Sequence, residues 1–259
     1  MKQPARRLRK SLKSPPSDLS IDFVHKLRTQ TGRLEAIIAA SVLERKKLAR
    51  QLLKTIRPVH KAAGEVRDMD VLAAKARTLS GRRNDSVARL VKHLVDTRIK
   101  NARTLLQTVA KKQKKARRNL KGFSKQITQK LSAKGPGPHA EPARTWLKAD
   151  AISGLAAELN QWPKLSEENL HTFRLKVKEL LYVLHLAGSV DAEYMDALNK
   201  AKDEIGDWHD WYQLARIAEQ TLDGKKDNAA LKKMEDTSRK KLDLALAAAN
   251  AIKGRTLSA

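Results

Sequence analysis

Lysine, arginine and histidine recur in this chain at spacings that build anion-binding rows. Lys47, Arg50, Lys54, Arg57 and Lys61 follow steps of three, four, three and four. On a helix those steps share one face for about four turns. No Asp or Glu lies within residues 45–64, so the row brings no ion-pair partner of its own. A second pattern occurs twice. His25-Lys26-Leu27-Arg28 and His171-Thr172-Phe173-Arg174 each set a histidine and an arginine three residues apart, on one side of a helix. Each is answered downstream, by Gly64-Glu65-Val66-Arg67-Asp68 and by Gly206-Asp207-Trp208-His209-Asp210. The chemistry open to these types is the gripping of oxyanions. Arginine clamps two oxygens with parallel N–H bonds, lysine acts as a point charge, and histidine donates a bond and gains charge at lower pH. Each pattern also has an ordinary structural reading: a solvated charged face for the row, a satisfied histidine at the rim of a core for the repeat.

The elements that must carry these residues are helical. Apolar positions at Ile21, Val24, Leu27, Leu34, Ile38 and Val42 mark one helix, opened by a cap from Ser17, Asp18 or Ser20. A second, over about 46–79, keeps Leu48, Leu52, Ile56, Val59, Ala63, Val66 and Leu72 near one face. Pro58 inside it removes an N–H and predicts a kink. A long third helix is expected over about 84–130, and Gly135-Pro136-Gly137-Pro138 marks a linker over 135–140. Further helices are expected over about 142–161, from Ser166 to Gly188, from Asp191 to Asp223-Gly224, and over about 227–250. In both His segments, His25/His171 and Arg28/Arg174 follow a core position by one residue, about 100° of rotation, and so flank the buried seam. Arg33 and Lys178 continue the two segments. Glycine inside a helix costs about 1 kcal/mol relative to alanine. Gly64 and Gly206 therefore predict the close approach of another helix or of a ligand. Asp68 and Asp210 then either orient a cation of the facing helix or form ordinary salt bridges.

Composition limits the function classes. The 259 residues carry 54 Lys/Arg against 28 Asp/Glu, a net charge of +26, which calls for a polyanionic partner. Residues 1–140 hold 36 Lys/Arg against 9 Asp/Glu, and residues 141–259 hold 18 against 19, so the halves repeat a motif but not a charge. Residues 1–17 read as a disordered basic tail without the apolar stretch of a secretory signal. The absence of cysteine excludes disulfides and thiolate chemistry and fits a reducing compartment. No apolar run is long enough to span a membrane. No HExxH, His-x-His or Walker pattern appears, so neither a metal site nor catalysis is expected. Aromatics are 4% of the chain, too few for a base-stacking nucleic-acid surface, although weak non-specific nucleic-acid binding fits the charge.

At the quoted motifs the chain resembles the CHAD family, the conserved-histidine α-helical domain. His25-x-x-Arg28 with Arg33-Leu34 resembles its opening helix, and Gly64 to Leu72 its second. His171-x-x-Arg174-x-Lys176-x-Lys178 with Tyr182, then Gly206 to Asp210, resemble the second half. The resemblance covers about residues 18–250, with the four motifs in order. It implies an all-α fold of two antiparallel four-helix bundles related by a pseudo-twofold axis. The halves would be 18–134 and 141–255, with 17–255 together one domain. It implies non-enzymatic binding of inorganic polyphosphate in a basic groove or pore, no cofactor, and a cytoplasmic location on polyphosphate granules. The site residues would be His25, Arg28, Arg33, Lys47, Arg50, Lys54, Arg57, Lys61, Arg67, His171, Arg174 and Lys178. The chain departs from the family pattern where Gly32 and Glu35 replace further arginines of the first helix and Leu181 an arginine before Tyr182. With the charge asymmetry, this places most of the grip in the first half.

Overall fold

The computed structural model describes residues 2–41, 46–79, 85–133, 150–188, 191–222 and 228–255. Among them are eight helices and no strand: α1 (Lys2–Ser11), α2 (Ile21–Ala39), α3 (Lys47–Thr78), α4 (Asp85–Ala133), α5 (Ala151–Asn160), α6 (Glu167–Ala187), α7 (Ala192–Thr221) and α8 (Asn228–Asn250). The expected linker 135–140 and the start of the helix expected from 142 lie outside the described residues.

Helix ends follow the local chemistry. Ser20 caps α2 by accepting from the Phe23 N–H at 3.2 Å, and Asp191 caps α7 by accepting from Glu193 N–H at 2.9 Å and Tyr194 N–H at 3.3 Å. α6 stops at Gly188, whose φ of 74° is the left-handed conformation that glycine adopts without strain. α3 runs on through Pro58 as one helix.

The first helix corrects the sequence reading. Residues 1–17 were expected as a disordered tail, yet residues 2–11 are helical and join the core. Ala5, Leu8 and Leu12, in steps of three and four, are 1%, 0% and 1% exposed. Burying each leucine contributes about 2 kcal/mol toward docking the helix on the core. Ser11 Oγ also donates to Gln30 Oε1 of α2 at 3.1 Å. The apolar stripe is only three residues deep among five cations, so the charge concealed it.

The chain forms two compact units. One comprises Met1–Arg67, Lys100–Ile152 and Tyr182–Ser189; the other comprises Asp68–Ile99, Ser153–Leu181 and Val190–Ala259. These cut across the consecutive halves expected from the sequence. The long helices explain it: α3 and α4 each contribute residues to both units. In the first unit Leu8 of α1 and Leu12 just after it, Val24, Leu27 and Leu34 of α2, Leu52, Ile56 and Val66 of α3, and Leu105, Leu120 and Phe123 of α4 form one apolar core. In the second, the end of α3 (Leu72, Ala76), the start of α4 (Leu90, Leu94), α7 (Leu214, Ala218) and α8 (Met234) form another. The first unit holds 31 Lys/Arg against 7 Asp/Glu, a net of +24, and the second 23 against 21, a net of +2.

Candidate functional site

In the first unit α2 and α3 lie antiparallel along a seam that alternates close approach and charge. Arg28 lays its guanidinium over Gly64: a Cβ there would stand 3.5 Å from Arg28 Nε. One turn on, Thr31 Oγ1 is 2.9 Å from His60 Nδ1, and a Cβ on Gly32 would stand 2.8 Å from His60 Cε1. Gly32 thus makes room for the His60 ring, which accounts for a glycine where an arginine was the family expectation. Glu35 follows opposite Arg57. Burial pushes the Glu35 carboxyl up, and the Arg57 charge pulls it partly back. At the other end His25 faces Arg67. Burial first, then the charges of Arg67 and Arg28, hold its pKa below the ordinary histidine value, against a smaller upward pull from Asp22. Each step forward on α2 is matched by an equal step back on α3. The seam therefore unites His25, Arg28, Arg57 and Arg67.

The remaining row residues continue along α3. Lys47, Arg50, Lys54, Arg57 and Lys61 are all exposed, and none has a carboxylate within 4 Å among the described residues. The row therefore faces solvent without a direct ion pair, Glu35 acting on Arg57 only at longer range. Arg33 is half-buried, with its guanidinium over the Tyr182 ring at 5.6 Å from the centroid. That cation–π contact ties it into the first unit.

The second unit repeats the arrangement between α6 and α7. His171 stacks on His209 with ring centroids 4.1 Å apart, and Arg174 lies over Gly206, where a Cβ would meet Nη2 at 2.5 Å. Arg174 Nε also donates to the Lys202 carbonyl at 2.9 Å. The glycine of each Gly-x-x-(Arg/His)-Asp segment is thus the seat of the arginine of the matching His-x-x-Arg segment, as close helix approach predicted. Lys178 lies one turn beyond Arg174 on α6, half-buried.

Charge in this unit is compensated rather than free. Lys75 and Lys241 both bond Asp207, the second at 2.8 Å, and Lys75 also lies 5.3 Å from the Trp211 ring centroid. Burial raises the Asp207 carboxyl, but the bonds from Lys241 and Lys75 outweigh it and hold its pKa below the ordinary range. Asp210 goes the other way: burial lifts its pKa to about 6, opposed by Lys75 and Arg174 and reinforced by Asp68 and Asp207. Arg98 bonds Asp70 at 3.0 Å, and Lys176 bonds Glu158 at 3.0 Å.

Two participants had no sequence signal. His60 is a single histidine without a repeated counterpart, and Lys75 meets Asp207 across 132 residues. Only the register of packed helices brings either into place. Among the described residues no cluster of three His, Cys, Asp or Glu is arranged to hold a metal ion, and no helix is long and apolar enough to cross a membrane.

The structure is similar to the crystal structure of the CHAD domain from the plant Ricinus communis, with a TM-score of 0.64 and 15% sequence identity, covering 99% of this chain and 90% of that one. No curated protein matches the chain. The model of the CHAD domain matches residues 5–219, which takes in most of α1 and both His-x-x-Arg segments. The chain belongs to the CHAD family.

Proposed function

We propose that this protein is a non-catalytic binder of inorganic polyphosphate, gripping the chain chiefly along the exposed α3 row and the α2–α3 seam. Polyphosphate binding is the known property of the family. The observation that supports the reading most is the row Lys47, Arg50, Lys54, Arg57 and Lys61, in a unit of net +24, with no carboxylate within 4 Å among the described residues. A condensed phosphate chain carries charge along its whole length and offers no base to read. The matching surface is a run of Arg and Lys without aromatic platforms. Arg28 and Arg67 add guanidinium groups at the end of the row, and His25, held neutral, takes up a proton as an anion arrives. The second unit contributes His171, Arg174 and Lys178 in a more balanced setting. Two repeated four-helix halves, and recruitment to polyphosphate granules, belong to the same proposal.

The test is a titration of long-chain polyphosphate at 50 mM and 200 mM salt, with duplex DNA as competitor at equal charge concentration. Counterion release predicts an affinity loss of several orders of magnitude over that interval, on the order of 10³ for six or more contacts. DNA is expected to compete weakly. An affinity insensitive to salt, or ready displacement by DNA, would defeat the reading.

A further inference from the structure

The helix α1, which the charge of residues 1–17 concealed, does more than fill a core. Its apolar face is buried by Ala5, Leu8 and Leu12. Arg6, Arg9 and Lys10 of α1 and Lys13 in the turn that follows it form one wall of a groove of about 790 Å³ in the first unit. The opposite wall is supplied by α4, with Lys114, Arg117, Arg118 and Lys121. Every lining residue is Lys or Arg. All are exposed except Arg117, which is half-buried and whose Nε is enclosed without a hydrogen-bond partner among the described residues. None of the four lining residues from α4 has a carboxylate within 4 Å among the described residues. The lining is distinct from the α3 row: the two share no residue.

Concentrating eight cations in a groove is unfavourable unless an anion enters it. The chemistry of the lining selects the anion. The lining offers no aromatic ring for a base to stack on and no amide to read one. A condensed phosphate chain, with charge on every unit and no bulky sugar or base, fits a lining of Lys and Arg alone.

We infer that the groove between α1 and α4 is a second, independent binding site for a linear condensed phosphate, so that one protein molecule holds two stretches of polyphosphate. Two sites on one molecule allow it to bridge separate chains, or to engage one long chain with raised effective concentration. This rests on the functional reading above, and the test separates the two.

Tripolyphosphate is titrated by calorimetry at low salt into three full-length proteins: the wild type, a groove variant (R9S, K13S, K114S, K121S) and a row variant (R50Q, K54Q, R57Q, K61Q). All eight positions are exposed, and circular dichroism checks that the helices persist. The wild type is expected to take up two equivalents and each variant one. If the groove variant still takes up two, the second site does not exist. If the groove variant loses binding of a single-stranded oligonucleotide but not of tripolyphosphate, the groove serves nucleic acid and the inference fails. If the wild type takes up only one equivalent, lost in the row variant, the second site is refuted and the proposed function stands. If no protein binds tripolyphosphate or long-chain polyphosphate, the functional reading itself fails.

Discussion

Alanine at Gly64 and alanine at Gly206 should change stability in opposite directions. Both glycines are helical and buried, and both lie beneath the arginine of a His-x-x-Arg segment. Replacing an interior helical glycine by alanine is worth about 1 kcal/mol of helix propensity. At Gly64 the new Cβ would stand 3.5 Å from Arg28 Nε and 4.0 Å from Cζ, ordinary contact distances. Most of the propensity gain should survive, giving a net stabilisation of about 0.5–1 kcal/mol. At Gly206 the Cβ would stand 2.5 Å from Arg174 Nη2 and 3.0 Å from both Cζ and Nε, so the guanidinium must move. Its bond from Nε to the Lys202 carbonyl, now 2.9 Å, is then lost. A hydrogen bond from a charged group contributes about 1.5–3 kcal/mol, which exceeds the propensity gain. The net effect should be a destabilisation of about 0.5–2 kcal/mol. Urea denaturation of G64A, G206A and the wild type at one pH measures both. Equal shifts of the same sign would show that the arginine–glycine contact is not what separates the two sites.

Two further changes follow from the carboxylates. The pKa of Asp210 in the folded protein, about 6, exceeds its unfolded value, so the native state holds the extra proton and loses stability as pH rises through 6. Asp210→Asn should therefore leave stability nearly unchanged near pH 4 and raise it, relative to the wild type, by up to about 3 kcal/mol at pH 8; a difference independent of pH between 4 and 8 would contradict the burial argument. Glu35→Gln removes the carboxylate opposite Arg57 and should tighten polyphosphate binding at low salt by about 1 kcal/mol, roughly five-fold, with the gain shrinking at high salt. Weaker binding in the E35Q titration would mean that Glu35 positions Arg57 rather than neutralising it.

Much of the site was legible because it is written in helical periods. The α3 row needs only steps of three and four to be seen, and the repeat needs only two segments with the same order of His, Arg, Gly and Asp. Because the glycines break local propensity, their close contacts could be anticipated before their partners were known. What could not be read depends on register between distant segments. The fit of His60 against Gly32 requires knowing which turn of α3 faces which turn of α2. The pairing of Lys75 with Asp207 requires α3 and α7 to meet within one unit. That α3 and α4 each divide between two units is a long-range property that no local pattern displays. Among residues 1–13, six cations outweighed three correctly spaced apolar residues, although those three decide whether the segment folds.

The central claim is that polyphosphate lies along the α3 row and the α2–α3 seam. A crystal structure of the protein with a linear polyphosphate measures this directly. The account predicts phosphate oxygens within hydrogen-bond distance, about 3 Å, of the guanidinium groups of Arg28 and Arg57 and the ammonium of Lys61. A phosphate chain ordered elsewhere, with those three side chains left to solvent, would contradict it.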